Sequence, residues 1–301
     1  MLSYKHMVFL EVAQLKSFTK ASQTLFISQP AISKHIQQLE EDYGTSLFER
    51  KGNSIALTEA GGILVEAILK ALAIGNKAAF DISTRRDQYA AKGELKLGAS
   101  TTVALYIVPP VLSEFHKKHP YIKLSLLNRN SENVLKALLD HEIDLGIMEG
   151  KNKSLKVNSQ LFLTDEVIPV CSARSFLAVK SKLKIEELVE HPVALRERGS
   201  GTLVALKHAL SLLGVKLSDL NSRVQLSGTE ALKNFILADQ CIGFLPMRSV
   251  EKELSHGSLV QLYIEGLSIK RQFYFVQRHG DNKDGLSGTF IRFAKSHYNI
   301  K

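Results

Sequence analysis

Gln29, Ser33 and Gln37 stand four residues apart, with Pro30 and Lys34 beside them. On a helix that spacing puts two amides and a hydroxyl on one face. Gln bonds adenine bidentately, Ser bonds several base edges, and Lys reaches guanine or a phosphate. The chemistry on offer is recognition of nucleobases in a major groove. A solvated polar face on a small helical bundle would have the same composition, so the helix alone leaves both readings open. Further on, Arg50 and Lys51 precede a Gly52-Asn53 turn and the apolar run Ile55-Ala56-Leu57. A turn followed by a short strand makes a wing, and its two cations are placed for backbone phosphates or the minor groove.

A second group of candidates lies in three corners rich in hydroxyls: Ser100-Thr101-Thr102, the run RERGSGT from Arg196 to Thr202, and Ser227-Gly228-Thr229-Glu230. Each follows a run with strand character and opens a helical pattern. A helix start offers free backbone N–H groups and the positive end of the dipole, which favour an anion. Gly199 and Gly201 let such N–H groups converge, and Arg196 supplies the cation. The candidate ligand contacts are Ser100, Thr101, Thr102, Arg196, Gly199, Ser200, Thr202 and Thr229. The expected ligand is a small carboxylate, sulfur oxyanion or phosphate ester. Ordinary capping accounts for any one corner by itself. Glu149 ends another apolar run. It selects a donor-bearing ligand or sits in solvent, and solvent is expected.

The elements that position these residues follow from periodicity. Met7, Leu10 and Ala13 share one face of a first helix. Ser17 caps a second, which turns Phe18, Ala21 and Leu25 inward. Ser28 caps a third, and Pro30 falls in its first turn, where a missing N–H costs nothing. Ile32, Ile36 and Leu39 face its core side. Gly44 ends it, and Leu47 and Phe48 plug the core. From Thr58 to about Tyr89 the pattern is one long helix, with Leu64, Ile68, Ala71, Gly75, Ala78 and Ile82 on a heptad-like seam. That seam pairs two chains or lies on its own domain's core. Arg85, Arg86 and Asp87 break it, and residues 90–93 form a hinge. Beyond Gly93, short apolar strands alternate with helices, which implies an α/β fold with a largely parallel sheet in two lobes.

Residues 2–62 resemble the LysR-type bacterial transcriptional regulators nearly without gaps. The residues that carry the likeness are F18-T-K-A21, then L25-F-I-S28-Q29-P30-A31-I32-S33, L39-E40, G44-T-S-L47-F48-E-R50 and L57-T58-E-A60-G61. Two departures occur. Ser22 replaces the second of a common alanine pair, and Asn53 stands where the family often has a second wing arginine. The resemblance implies a winged helix-turn-helix over 1–62, a dimerising linker helix and hinge over 63–92, and an effector-binding domain over 93–301. That last domain looks like a periplasmic solute-binding protein, with lobe I at 93–162 and 267–301 and lobe II at 163–266. The chain would cross between lobes near Leu161–Leu163 and Glu265–Ser268, and the three hydroxyl corners would line the cleft. The DNA contacts implied are Ser28, Gln29, Pro30, Ser33, Lys34, Gln37, Arg50 and Lys51. The partners implied are double-stranded DNA carrying an interrupted palindrome, a second copy in a homodimer, further copies in a homotetramer, and RNA polymerase if the protein is an activator. Family members with a similar RE-x-GSGT loop include regulators of sulfur and carbon assimilation.

Composition bounds these readings. The 301 residues are 45% hydrophobic and 23% charged, which suits two or three folded domains. The net charge is +9, yet residues 1–62 hold six Lys and Arg against six Asp and Glu. Local placement of a few cations, and not bulk charge, must serve DNA. The surplus beyond residue 93 suits solubility or an anionic ligand. The uncharged stretch from Leu97 to Ser113 is broken by Pro109-Pro110, so no membrane span is expected. No secretory signal is visible, and two cysteines suit a reducing cytoplasm. No P-loop or GxGxxG pattern occurs. Gly199-Ser200-Gly201 is too short for a nucleophile elbow, and His116 and His119 lack an HExxH context. Neither an enzyme nor a metal or resident cofactor is expected. Two rival readings are an architectural DNA binder without ligand response and a ligand-binding module with vestigial DNA binding.

Overall fold

A computed structural model describes residues 2–51, 54–86, 92–151, 154–180, 182–281 and 285–300. The chain divides into two compact units, 1–82 and 83–301.

The first unit opens with α1 (Tyr4–Leu15), α2 (Phe18–Leu25) and α3 (Gln29–Tyr43). Ser17 Oγ accepts from Lys20 N at 3.2 Å, and Ser28 Oγ accepts from Ala31 N at 3.4 Å. These caps start α2 and α3 where the serines stand. Gly44, at φ +64°, ends α3 in the left-handed region that glycine enters without strain. The antiparallel pair β1 (Phe48–Lys51) and β2 (Ser54–Leu57) forms the wing. Ile32, Ile36 and Leu39 of α3 are buried together with Val8, Phe9, Val12, Ala21 and Leu47. The inward face of α1 matches the expected one only in part: Leu10 is buried in the core. Met7 is exposed, and Val8, Phe9 and Val12 are fully buried. The larger Phe9 ring sets the rotation by packing on Phe48, 5.2 Å away between centroids.

The long helix α4 (Glu59–Arg86) begins at Thr58, whose Oγ1 accepts from Gly61 N at 3.0 Å. Its seam divides. Leu64 and Ile68 sink into the unit's own core. Ala71, Ile74, Gly75, Ala78 and Ile82 stay exposed.

The second unit carries β3 (Gly93–Ser100), a π-turn (Val103–Ile107), α5 (Val108–Lys118), β4 (Ile122–Arg129), α6 (Ser131–Leu139) and β5 (Leu145–Glu149). The long β6 (Val157–Ser172) leads to α7 (Leu177–Lys180), β7 (Lys182–Leu183), α8 (Ile185–Glu190), β8 (Val193–Arg196) and α9 (Gly201–Leu212). Then come β9 (Ser222–Leu226), α10 (Thr229–Ala238), β10 (Ile242–Pro246), α11 (Met247–Ser255), β11 (Leu259–Gln261), β12 (Tyr263–Ile264), β13 (Ile269–Arg278) and α12 (Leu286–His297).

The main sheet has the order β4-β3-β5-β13-β6-β10-β8-β9, with β11 on β6. Each end of it is a parallel α/β layer: β3 with β4 and β5, and β8 with β9 and β10. The antiparallel strands β6 and β13 join the two layers. β13 pairs with β5 at Phe273–Val276, and β6 pairs with β10 at Val167–Val170. Between those stretches the two strands pair with each other, and Gly150 N donates to Gln272 O at 3.0 Å beside them. This is where one lobe gives way to the next, and Arg271 faces Asp165 across it.

Candidate functional site

In the first unit, α3 shows solvent the face that the sequence singled out. Ser28, Gln29, Pro30, Ser33, Lys34 and Gln37 are all exposed, on the side opposite Ile32, Ile36 and Leu39. Gln37 Nε2 donates to Glu41 at 3.2 Å, which holds its amide at the C-terminal end of the face. The wing is tied to the same helix. Glu40 Oε1 accepts from Leu47 N at 2.7 Å and from Phe48 N at 3.3 Å. The backbone of Arg50 and Lys51 lies in β1, while their side chains, and the Gly52-Asn53 turn, fall outside the described residues.

In the second unit the hydroxyl corners converge. Ser100 ends β3, Thr102 leads into the π-turn, Ser200 and Thr202 open α9, and Thr229 opens α10. All five are at most 2% exposed, and Thr101 is half-buried. Local chain geometry drives this convergence. Gly199 and Gly228, at φ +86° and +85°, turn the backbone sharply before α9 and α10. Ser200 makes no capping bond to α9, so simple capping does not explain it. Ser100 Oγ is buried without a hydrogen-bond partner. A buried hydroxyl without a partner is costly, and a ligand or water that bonds it would recover that cost.

Two arginines organise the cluster. Arg196 spends its charge nearby: Nε and Nη2 donate to the Glu197 carboxylate at 2.8 and 3.0 Å, and Nη1 donates to Thr229 Oγ1 at 2.8 Å. Burial alone would raise the Glu197 carboxyl, but the Arg196 guanidinium overrides it and holds Glu197 below the usual carboxylate range. Arg271 spans the lobes. Nε and Nη2 donate to Asp165 Oδ2 at 3.0 and 2.7 Å. Nη2 also reaches Thr102 Oγ1 at 3.0 Å, and Nη1 reaches Thr202 Oγ1 at 2.8 Å and Glu149 Oε1 at 2.7 Å. One guanidinium thus touches the corner after β3, the start of α9 and the crossing strand β6. A second bridge crosses the cleft where the Tyr106 hydroxyl donates to the Glu230 carboxylate.

Residues 6–62 match the family described as "Bacterial regulatory helix-turn-helix protein, lysR family", and residues 90–299 match the one described as "LysR substrate binding domain". The chain belongs to the LysR family of bacterial transcriptional regulators. It is a DNA-binding regulator with an effector-binding domain. Among its relatives is the HTH-type transcriptional activator CmpR of Synechocystis, 30% identical over 293 residues, which cover 96% of this chain and 93% of CmpR. The regulatory domain of Synechocystis CcmR, solved in complex with 2-PG, is 28% identical at a TM-score of 0.62 and covers 68% of this chain and 97% of that one. A full-length OxyR from Pseudomonas aeruginosa shares the fold at a TM-score of 0.72 and 17% identity, over 98% of this chain and 95% of that one.

Several residues of the regulator's cleft were not visible to sequence reasoning. Glu149, expected in solvent, has a side chain only 8% exposed. Arg271 holds one of its oxygens and the Ser131 hydroxyl donates to the other. Arg271 and Asp165 carried no motif, because their pairing depends on the register of strands 106 residues apart. The one available signal was the pair Asp165-Glu166 inside β6 and the pair Lys270-Arg271 inside β13, each beside apolar residues. Among the described residues no group of His, Cys, Asp and Glu is arranged to hold a metal ion. Among them, too, no helix is long and apolar enough to cross a membrane.

Proposed function

We propose that this regulator binds a small anionic effector between its two α/β lobes and that this binding controls how it engages DNA. The supporting observation is the convergence of Thr102 and Thr202 on Arg271, with Ser100 and Ser200 buried in the same two corners. Hydroxyls at helix starts, with a cation and an orphan Ser100, suit a carboxylate, sulfur oxyanion or phosphate ester. Its relative CcmR, solved with 2-PG, supports a small ligand of this kind. Ser100, Thr101, Thr102, Gly199, Ser200, Thr202 and Thr229 are the proposed contacts. Arg196, neutralised by Glu197, serves them by fixing Thr229.

At the other end of the chain, Gln29 and Ser33 contact bases, with Ser28, Pro30, Lys34 and Gln37 along the same groove and Arg50 and Lys51 on the wing. Two such helices in a dimer suit an interrupted palindrome. The exposed apolar residues of α4 support a homodimer, and a tetramer follows if the effector domains also pair. Activation is the reading that the name of CmpR favours, and an activator of this kind would contact RNA polymerase in the cytoplasm. No catalytic role is assigned.

The test is footprinting on DNA flanking the regulator's own gene, with and without a panel of anions. A protected, interrupted palindrome whose footprint changes with one anion supports the reading. A footprint indifferent to every anion, with melting shifts only for neutral or cationic compounds, overturns it. The rival of a ligand-silent architectural binder has one observation in its favour: Glu149 fills part of the cleft. A footprint that no metabolite alters would favour that rival.

A further inference from the structure

The N-terminus of α9 already holds an anion, and the chain itself supplies it. Glu149 ends β5 in the first lobe, yet its carboxylate lies against the first turn of α9 in the second. A Cβ added at Gly201 would fall 2.5 Å from Glu149 Cβ and 2.6 Å from its carboxylate carbon and Oε2. Glycine at the first position of α9 is what admits this side chain. The carboxylate takes the donors an effector would need: Arg271 Nη1 at 2.7 Å, which also reaches Thr202, and the Ser131 hydroxyl.

The two partners of Arg271 are not equivalent. Asp165 is its cross-strand neighbour at the lobe junction and receives Nε and Nη2. It also lies 3.4 Å from Arg248 Nε. Glu149 reaches in from the last residue of β5 and takes Nη1 alone. The buried Arg271 and the partly exposed Arg248 balance Asp165 and Glu149, so these four charges sum to zero. Withdrawal of Glu149 leaves one uncompensated positive charge, a hydrogen-bonding Thr202, and the buried, unpartnered hydroxyl of Ser100 nearby in the same cluster of corners. That is the complement of an anionic group.

We infer that Arg271 is the cation that recognises the effector's anionic group, and that Glu149 is a tethered stand-in which the effector displaces. This inference rests on the anionic effector proposed above. The exchange keeps the buried charge balanced and moves a residue of one lobe off the first turn of the other. Binding is thereby coupled to the contact between lobes, because the effector gains its site only in the state where Glu149 has left. The apparent affinity is reduced by the fraction of time that Glu149 is out.

Calorimetric titration of the full-length protein tests this, with inorganic phosphate, sulfate and 2-PG as probes and ionic strength held fixed with chloride. Glu149→Gln keeps the shape and removes the competing charge, and it is expected to tighten a probe about tenfold. Ser131→Ala, which only loosens the anchor of Glu149, is expected to tighten the same probe by less, and it carries the test if the first variant does not fold. Adding Arg271→Lys to Glu149→Gln is expected to lose the gain, because a point charge replaces the fork. If the wild type binds an anion but neither Glu149→Gln nor Ser131→Ala tightens it, Glu149 is only a counter-charge for Arg271 and the inference falls alone. The same holds if the gain survives Arg271→Lys. If neither wild type nor variants take up any anion, the effector reading fails and the inference goes with it.

Discussion

Arg271 Nη2 donates to Asp165 Oδ2 at 2.7 Å, and the two residues are register partners on the strands that join the lobes. Both side chains are 3% exposed. A buried pair with this many hydrogen bonds adds little over an apolar pair, but removing one partner strands the other. Asp165→Ala leaves Arg271 with Glu149 as its one remaining carboxylate and is expected to cost about 3 kcal/mol, the low end for breaking a buried pair. At about 2–4 °C per kcal/mol for a domain of this size, the melting temperature should fall by some 10 °C. Scanning calorimetry of the full chain reads the shift. A fall below a degree would mean that the pair does not hold the junction.

On α3, Gln29 and Ser33 are exposed one turn apart, with no described partner competing for their polar atoms except solvent. Gln29→Ala is expected to cost about 1–3 kcal/mol at one operator position and relax specificity there. Arg50→Ala on the wing should weaken all sequences alike and flatten the salt slope by about one. Gel shifts against single-base operator variants, at several salt concentrations, separate the two. Equal loss on every sequence for Gln29→Ala would remove it from base readout.

How much of this was legible in the sequence depended on the range of the interaction. Ser17 and Ser28 cap helices three residues away, and Ile32, Ile36 and Leu39 repeat at helical spacing, so α2 and α3 were readable. The corners at Ser100, Ser200 and Thr229 were readable too, since strand, turn and helix follow one another directly. What failed was set by distant partners. Met7 was expected inward, but the helix turns to bury Phe9 against Phe48. Arg271, which joins Thr102, Asp165, Thr202 and Glu149, was missed because four separate elements must fold before its role exists. The seam of α4 divides between two environments. Leu64 and Ile68 serve the core of their own unit, and nothing in a heptad says which partner covers it.

The two cysteines give a pH prediction. Burial first, and then the Asp239 carboxylate, push the Cys241 thiol up to about 12. In the unfolded chain it ionises at about 8.5. The folded state thus binds the proton more tightly, and its stabilisation is complete below about pH 8.5 and is lost as pH rises toward 12. Melting curves between pH 8 and 11 should fall more steeply for the wild type than for Cys241→Ala. Cys171 is also buried with a raised thiol, again from burial. Neither supplies a thiolate near neutral pH, so peroxide is expected to leave operator binding unchanged. Rapid labelling of either residue by a thiol reagent in the native protein would contradict this.

The exposed part of α4 makes the last prediction. Ile74 and Ile82 are 70% and 65% exposed, two helical turns apart, with Ala78 between them on the same stripe. Small residues beside them, Ala71 and Gly75, permit close approach of a second helix. Burying one such isoleucine is worth about 1.5–3 kcal/mol, and a symmetric dimer would bury each of them twice. Ile74→Asp with Ile82→Asp should therefore raise the dissociation constant at least about a hundredfold. Sedimentation equilibrium would show monomer at micromolar concentration. Leu64→Asp is the wrong probe, because Leu64 belongs to the unit's own core and its loss would unfold the DNA-binding unit instead. The doubly substituted protein keeps that core, so its loss of affinity for a two-half-site operator, with single half-site binding intact, would assign the effect to pairing. An unchanged sedimentation profile would mean that this stripe is not where two copies meet.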